Sequence, residues 1–369
     1  MKKKFALAIL AVAVMFLSCS RTTATSGIHE ISVPVEEVAT NFEFSGIATL
    51  AEVVAVSDSC GLSNIDRLWT VGDKYLLWDK RQGKACLLDS SGRLITHVGR
   101  RGNASNEYAV ITDMWVEGDE VCLYDNVKRR VSVYDEDGSM VRMVESCPWA
   151  MRFCTHEGSM YFCTYGQNDS ETMLSMTDGN GKTISELMPY PTFRELPVMD
   201  NCCFAKGSSG EILFFNPMQD VIYRLDGDEA VPVLSFDFGA DGLGCRGLTD
   251  PALPQIVNDR KYVGGLDDVY KVGECLLFSF RDNLGNRTLH AVCDERTGEV
   301  HVYDYSVRVS DLLPVSPQDR IVGADNSNVY FQIDTTFLPE KLKSKVLQSG
   351  VVCKDGRLHD LYIVRCSLE

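Results

Sequence analysis

The sequence is poor in basic side chains relative to acidic ones. Its 369 residues include 36 lysines and arginines against 52 aspartates and glutamates, so the formal net charge at pH 7 is −16. Proteins that bind nucleic acids or anionic membrane surfaces need clustered basic residues, and this balance argues against both partners for the folded domain. The hydrophobic share of 45% excludes, in turn, a disordered or fibrous chain.

Recognisable catalytic and metal-binding motifs are absent from the sequence. There is no His-Glu-x-x-His, Gly-x-Ser-x-Gly, Cys-x-x-Cys or Gly-x-x-x-x-Gly-Lys pattern. Of the six scattered histidines, His290 and His301 share one predicted hairpin, where solvent-facing strand residues are favoured over a two-histidine metal site. Residues 135–138 and 178–181 lack the downstream glutamate of a calcium loop and are predicted to be hairpin turns. We therefore predict no metal and no cofactor.

The longest apolar run lies at the N terminus and is too short to cross a membrane. Residues 5–17 follow Met-Lys-Lys-Lys, and their 13 apolar side chains fit the hydrophobic region of a secretory signal peptide, not a span of roughly 20 residues. Residues 16–19, Phe-Leu-Ser-Cys, resemble a lipoprotein cleavage motif. We predict a signal peptide over residues 1–18, lipidation of Cys19 and a flexible tether over residues 19–30. The alternative is an ordinary signal peptide followed by a chance cysteine.

Export has consequences for charge, location and cysteine chemistry. Loss of the leader removes three lysines and no acidic residue, so the mature net charge is −19 (−16 − 3). A lipid on Cys19 would anchor the chain to a membrane, for which we expect the outer membrane. No acidic run follows Cys19, which favours a periplasm-facing position over surface exposure. The other 13 cysteines lie mostly in apolar runs, so we expect buried thiols, with Cys154 and Cys163 as the pair to test for a disulfide.

An internal repeat is the strongest signal in the chain. Residues 72–79, Gly-Asp-Lys-Tyr-Leu-Leu-Trp-Asp, match residues 118–125, Gly-Asp-Glu-Val-Cys-Leu-Tyr-Asp. Downstream, residues 84–92 match residues 130–138, and both offsets are 46 residues (118 − 72 and 130 − 84). Each unit has a glycine turn, an alternating strand, a polar corner and a second strand that ends in Asp-x-x-Gly. One structural unit is therefore repeated as a whole.

Degenerate copies of this unit continue to the C terminus. Six hairpin-rich units of about 40–60 residues are typical of a β-propeller, with four antiparallel strands in each blade. We therefore predict an all-β, six-bladed propeller over residues 31–369, with an open β-solenoid as the weaker alternative. An N-terminal strand should close the ring by pairing with the last blade, and the candidates are residues 31–35 and 42–47. Only residues 338–347 suggest a helix.

Residues 98–108 and the strand after them resemble a known group of proteins. Their sequence, Val-Gly-Arg-Arg-Gly-Asn-Ala-Ser-Asn-Glu-Tyr, is followed by Asp-Met-Trp-Val and is similar to the NHL-like six-bladed propeller lipoproteins of Gram-negative anaerobic bacteria. The matching positions are Gly99, Arg100, Gly102, Glu107 and Tyr108. Residues 103–106 replace the glycine-rich middle of the family pattern. The resemblance implies a propeller in the cell envelope, and it implies no particular chemistry because these are largely domains of unknown function.

Loop arginines are the candidate binding residues. Arg100 and Arg101 lie between two blades, where a pair of guanidinium groups could hold a carboxylate or a phosphate. The favoured alternative for Arg100 is structural, namely an ion pair with Glu107 that fastens one blade to the next. A second loop carries Arg281 and Asn283, and an aromatic, proline-containing insertion includes Arg194. The complete set of candidate ligand- or partner-binding residues is Arg100, Arg101, Glu107, Tyr108, Arg194, Arg281 and Asn283.

Two classes of function fit these observations. The leading hypothesis is a non-catalytic binding or scaffolding lipoprotein, a monomer whose propeller face presents loops to a protein or glycan partner. The alternative is a metal-dependent propeller hydrolase or lyase in the periplasm. Three or more acidic or amide side chains that converge on the central channel would favour the enzyme. A channel lined by apolar residues or by an ion pair would favour binding.

Overall fold

The computed structural model is a ring of six four-stranded antiparallel sheets, a six-bladed β-propeller. The structure describes residues 28–40, 42–166, 171–190, 203–244, 250–304, 307–310, 313–314, 321–337, 340, 343–344 and 358–368. Each sheet is one blade, and the predicted fold class is confirmed. None of the helices in the described part of the chain is long and apolar enough to cross a membrane.

The strands follow one another in blade order. Those before the first blade are β1 (His29–Ser32), β2 (Phe42–Glu43) and β3 (Ala48–Ala55). Blade 1 contains β4 (Arg67–Val71), β5 (Lys74–Asp79), β6 (Lys84–Leu88) and β7 (Leu94–His97). Blade 2 contains β8 (Asp113–Glu117), β9 (Glu120–Asp125), β10 (Arg130–Tyr134) and β11 (Met140–Glu145). Blade 3 contains β12 (Arg152–His156), β13 (Ser159–Cys163), β14 (Thr172–Thr177) and β15 (Thr183–Pro189).

The second half of the ring has the same arrangement. Blade 4 contains β16 (Phe204–Lys206), β17 (Ile212–Phe214), β18 (Val221–Asp226) and β19 (Glu229–Asp237). Blade 5 contains β20 (Val263–Val272), β21 (Cys275–Asp282), β22 (Arg287–Asp294) and β23 (Glu299–Tyr303). A small sheet uses β24 (Val307–Ser310) and β25 (Leu313–Pro314). Blade 6 contains β26 (Ile321–Ala324), β27 (Asn328–Asp334) and β28 (Leu361–Leu368), and β3 is its outermost strand.

The first strand of each blade lies at the centre of the ring. These inner strands, β4, β8, β12, β16, β20 and β26, contact one another in turn around the axis. The core lies between facing blades, as where Tyr124 of blade 2 packs on Phe153 and Phe162 of blade 3 with ring centroids 5.5 and 5.2 Å apart. The middle strands are buried on both faces, which explains their nearly continuous apolar sequences.

The 46-residue repeat corresponds to blades 1 and 2, strand for strand. Asp79 and Asp125 end the second strand of each blade, and both carboxylates are fully buried. Asp79 accepts hydrogen bonds from the backbone N–H groups of residues 63, 64 and 82, at 2.8, 3.2 and 2.8 Å. Asp125 accepts from residues 109, 127 and 128, at 2.6, 3.0 and 3.0 Å. Each aspartate therefore fixes the loop that leads into its own blade.

The Asp-x-x-Gly turns join the blades to one another. In each turn the aspartate accepts two local backbone hydrogen bonds, so residues 135–138 and 178–181 are the hairpin turns predicted. The glycine has a positive φ, and a Cβ on Gly92, Gly138 or Gly181 would lie 2.0–2.8 Å from the outer strand of the preceding blade. The motif thus requires glycine for backbone conformation and for the close approach of two blades.

The ring closes through β3, a strand that neither predicted segment contains. β3 pairs antiparallel with β28, in a register that places Val53 opposite Val364. Closure by an N-terminal strand is confirmed, but both candidate segments were wrong. Residues 31–35 begin in β1, which pairs in parallel with β19 of blade 4, and residues 42–47 begin in β2, which pairs in parallel with β24. β3 is an edge strand whose residues are buried irregularly, so its sequence shows little of the alternation that identifies a half-buried strand.

Two further predictions concern helices and cysteines. The described residues contain α1 (Leu253–Asp259), which the sequence did not indicate; of the helix predicted at 338–347, only residues 340, 343 and 344 are described, and all three are helical. Ten cysteines are described; none of them forms a disulfide, and all except the half-buried Cys275 are buried. Cys154 and Cys163 are therefore not bridged, and the expectation of mostly buried thiols is confirmed for this part of the chain.

Candidate functional site

The inner strands enclose a cavity of about 500 Å³ that we call the axial cavity. Its walls come from five of the six inner strands, β4, β8, β16, β20 and β26, and from the turns that follow β16 and β26. We call the end at which the inner strands finish the trailing end of the ring, and the opposite end the leading end. The apolar part of the lining is formed by Leu68, Trp69, Trp115, Phe204 and Val269.

Arg67 connects blade 1 to blade 5 across the wall of the cavity. Its guanidinium forms an ion pair with Asp268 and donates a hydrogen bond of 2.7 Å to the hydroxyl of Tyr270. It also lies 5.4 Å from the centroid of the Tyr270 ring. The Tyr270 hydroxyl donates in turn to the backbone oxygen of Ile321 in blade 6, at 3.2 Å. These contacts neutralise the arginine and occupy its donors, so Arg67 acts mainly as a link between blades.

Lys206, at the end of β16, is the cation in the cavity that lacks a carboxylate. Its ammonium lies 5.8 Å from the centroid of the Trp115 ring, a cation–π distance. No hydrogen bond or ion pair involves this ammonium within the described part of the chain. The side chain reaches the solvent of the cavity but is surrounded by protein walls, and this burial lowers the pKa of Lys206 while the charge of Glu117 opposes the decrease.

The other charged groups of the lining are already satisfied. Lys271 forms an ion pair with Glu295. Asp325 accepts hydrogen bonds from the backbone N–H groups of Ser327 and Asn328, at 2.9 and 2.8 Å, and from the hydroxyl of Tyr330, at 2.6 Å. The oxygens of Asp325 therefore shape the turn after β26.

Acidic side chains do not gather into a metal site in the described residues. No group of three or more histidine, cysteine or acidic side chains there is placed to hold a metal ion. Asp113, at the start of β8, is fully buried, and this burial raises its pKa while the charge of Arg152 opposes the rise. The Asp113 carboxylate is bound by backbone N–H groups of residues 114 and 153.

Comparison with protein families identifies the chain. A model described as domain of unknown function DUF4934 matches residues 33–349. The chain belongs to the DUF4934 family. No curated protein matches it.

The DUF4934 chain is also similar to several solved structures. A candidate exported protein from Bacteroides fragilis is 15% identical, with a TM-score of 0.68 over 92% of this chain and 99% of that one. A member of the DUF4221 family from Bacteroides vulgatus is 7% identical, with a TM-score of 0.48 over 88% and 98% of the two chains. BamB from Moraxella catarrhalis is 12% identical, with a TM-score of 0.44 over 86% and 99%. At these identities the similarity to the first of them supports the fold alone.

The predicted arginine loop of this DUF4934 propeller lies between β7 and β8, at the leading end. Arg100 is largely exposed, and its Nε lies 3.4 Å from Oε1 of Glu107, so the predicted ion pair is present. Arg101 forms a backbone bridge with Tyr108, whose hydroxyl donates to the oxygen of Gly83 at 3.0 Å. These residues are together, as the motif indicated, but none of them lines the axial cavity.

Blade 2 holds this loop in place through its own cations. The ammonium of Lys128 donates to the backbone oxygens of Gly102, Ala104 and Glu107, at 3.1, 3.1 and 2.6 Å. The buried Arg130 also donates to backbone oxygens of the loop. The loop therefore fastens blade 1 to blade 2 through Tyr108, Lys128 and Arg130, whereas the Arg100–Glu107 ion pair lies within the loop itself.

The remaining predicted residues lie apart from this loop. In blade 5, Arg281 forms an ion pair with the buried Asp267 at 2.6 Å, and the side-chain amide of Asn283 donates to the oxygen of Tyr262 at 3.3 Å. Both groups are engaged within their own blade. Arg194 and Cys19 lie outside the described residues.

His290 and His301 pack in an aromatic cluster. The ring of His290 stacks on Tyr303 at 5.4 Å between centroids, and burial lowers the pKa of His290. His301 lies 5.6 Å from the ring of Phe42 and forms a contact of 3.2 Å with Glu299. The structure thus places the pair in a packed strand surface next to β2.

Sequence reasoning missed the residues of the axial cavity. Trp69 and Trp115 are separated by the same 46 residues as the rest of the repeat, and both line the cavity. The repeat places both residues in blade strands but does not show which strand of each blade is the innermost one. Lys206 falls in a degenerate copy of the unit, and no local pattern marks it.

Proposed function

We propose that this protein is an exported, lipid-anchored binding protein of the NHL-like propeller type, and that it holds a protein or glycan partner at the trailing end of the axial cavity. Its role is capture or scaffolding, without catalysis. The anchor would be Cys19, with the propeller on the periplasmic side of the outer membrane. The motif of residues 16–19 and the tether after it support this arrangement.

The lining of the axial cavity is the observation that carries the proposal. Apolar and aromatic side chains form much of it, together with two cations that are neutralised by Asp268 and Glu295, the polar turn at Asp325 and Asn326, and Lys206, which has no ion pair within the described residues. A concave, largely apolar site with a few fixed polar groups is typical of ligand binding. A hydrolase or lyase that uses a metal would need converging ligands, and the described residues contain no group of three or more histidine, cysteine or acidic side chains that could hold one. The lining therefore favours binding over catalysis.

Affinity capture with a blocked cavity tests the binding role. Asn326 is exposed and lines the trailing mouth, and its side chain forms no hydrogen bond with any residue that the structure describes, so Asn326→Trp should obstruct the mouth while the blades stay intact. Ser327→Trp is the matched control, because Ser327 is exposed in the same turn but is not part of the lining. The tagged, membrane-anchored protein is expected to retain a specific protein or polysaccharide as wild type and as Ser327→Trp. The Asn326→Trp variant should lose it.

Two results would overturn parts of this proposal. Equal capture by Asn326→Trp and wild type would place the partner away from the cavity. Metal-dependent turnover of the captured partner would make the protein an enzyme. The anchor is tested separately by Cys19→Ser, which should abolish palmitate labelling. An unchanged mature mass and unchanged labelling would show that Cys19 carries no lipid.

A further inference from the structure

We infer that the axial cavity binds a carboxylate carried on a compact, partly apolar ligand, with the ammonium of Lys206 as its counter-ion and the face of Trp115 beside it. This inference rests on the proposed function, because it names the chemistry that the cavity recognises. The partner would insert this group, either a peptide carboxylate or the carboxylate of an acidic sugar.

The distribution of charge in the cavity carries the argument. Three cationic side chains line it, and two of them are paired: Arg67 with Asp268 and Lys271 with Glu295. Within the described residues, the ammonium of Lys206 has the π face of Trp115 as its partner and no carboxylate. The Lys206 side chain is exposed to the solvent of the cavity, so its ammonium is open to an anion, and a bound carboxylate would give it the kind of partner that Arg67 and Lys271 already have. Among the described residues that line the cavity, the charge without a hydrogen bond or an ion pair is therefore positive.

Neighbouring acidic groups do not fill this role. Glu117 acts on Lys206 only through its charge, without a direct contact. Asp325 also lines the cavity, but its oxygens accept hydrogen bonds from the turn after β26 and from Tyr330. As far as the described residues go, the ammonium of Lys206 thus keeps its donors for a ligand.

The charged side chains that line the cavity favour a carboxylate over a phosphate as the ligand. Phosphate sites commonly use the fork of an arginine, and the guanidinium of Arg67 is occupied by Asp268 and Tyr270. A single ammonium balances the one negative charge of a carboxylate. A chain with a formal charge of −16 would also repel a dianion more strongly than a ligand with one negative charge.

The size and walls of the cavity define the body of the ligand. A volume of about 500 Å³ lies within the range of roughly 300–1,000 Å³ that is usual for small-molecule sites. Trp69 and Trp115 provide flat apolar surfaces against which a sugar ring or an apolar side chain can pack. The C-terminal end of a peptide, or one to two sugar residues, would fit the cavity and pack against these apolar surfaces.

Titration calorimetry with paired probes tests the inference on the folded chain. One arm uses N-acetyl-leucyl-alanine, which carries one carboxylate, and its C-terminal amide; the other uses the methyl glycoside of galacturonate and its methyl ester. In at least one arm the acid should bind tenfold or more tightly than its neutral analogue. Lys206→Met should reduce that affinity at least tenfold, Lys206→Arg should retain most of it, and Lys182→Met, at an exposed lysine in a distant turn, should change nothing.

The outcomes distinguish a peptide ligand from a glycan ligand, and they distinguish failure of this inference from failure of the proposed binding function. Acid-selective binding in the first arm identifies a peptide, and in the second arm an acidic glycan. Absence of acid-selective binding in both arms overturns the inference, as does unchanged affinity in Lys206→Met. If Lys206→Met still captures the partner that Asn326→Trp loses, the proposed function stands and the inference alone fails. Because Lys206→Met removes an unpaired charge, its melting temperature should not fall, so loss of binding would not reflect unfolding.

Discussion

At the scale of single residues, buried carboxylates do structural work that the sequence pattern did not reveal. The repeat showed that an aspartate ends the second strand of blades 1 and 2, and the structure shows why. Asp79 and Asp125 each hold the loop before the inner strand and the turn after the second strand. The position could be predicted because the motif is local. Its role could not, because the loop that it binds lies about 15 residues earlier in the chain.

Substitution of Asp125 tests this role. Asp125→Ala leaves the N–H groups of residues 109, 127 and 128 without their acceptor, so we expect the free energy of unfolding to fall by about 3 kcal/mol. Asp119→Ala, in an exposed turn of the same blade, should change it by less than about 0.5 kcal/mol. Urea unfolding measures both values. Equal stability of the two variants would contradict the assigned role.

At the scale of strands and turns, the contacts between blades depend on the close approach of backbone atoms from neighbouring blades. Hairpin glycines were predicted from the Asp-x-x-Gly motif, because a tight turn is a local requirement. The closing strand β3 was missed because an edge strand has only part of one face buried and shows little periodicity. The sequence also does not show why residue 323 in β26 is a glycine, because only the closed ring brings it against β4. A Cβ on Gly323 would lie 2.2 Å from the backbone oxygen of Leu68.

The contact between blades 6 and 1 is tested at Gly323. Gly323→Ala places a methyl group against the Leu68 oxygen and should lower the free energy of unfolding by about 2 kcal/mol, the usual size of an overpacking effect. Gly46→Ala is the control, because nothing lies within 4 Å of its added Cβ. Thermal unfolding of both variants measures the difference. A melting temperature for Gly323→Ala equal to that of the control would show that the blades can separate freely.

Asp220 predicts a dependence of stability on pH at the joint of blades 4 and 5. It accepts backbone hydrogen bonds from Gly265 at 2.7 Å and Gly244 at 2.8 Å, and burial raises its pKa to about 7 from an unfolded value of 3.8. Between about pH 4 and 7 the folded state therefore holds a proton that the unfolded state releases. This group's contribution to stability is largest below pH 4 and is lost as the pH rises to 7.

The Asp220→Asn variant should lack this contribution to the pH dependence of the unfolding free energy. The difference in unfolding free energy between Asp220→Asn and wild type should increase in favour of the variant from pH 4 to 7, when both are measured by urea titration. Asp228→Asn, at an exposed turn of the same blade, should run parallel to wild type. A constant difference between Asp220→Asn and wild type over this range would contradict the raised pKa.

At the scale of the whole molecule, the repeat was sufficient to predict the ring but not the site inside it. Local periodicity specifies each blade, so six units could be counted along the chain. The axial cavity combines Arg67, Trp115, Lys206 and Tyr270 from four blades, and no spacing in the sequence connects them. The arginine loop was singled out because its motif is contiguous, and the structure shows it as a fastening between blades at the opposite end of the ring.

Hydrogen–deuterium exchange with the captured partner decides most directly between these two surfaces. If the axial cavity is the binding site, the partner should slow exchange in the turns after β16 and β26, around residues 207–210 and 325–327. The arginine loop at residues 99–108 should exchange as it does in the free protein. Protection of residues 99–108 with no change in the two turns would contradict the account and return the binding site to Arg100 and Arg101.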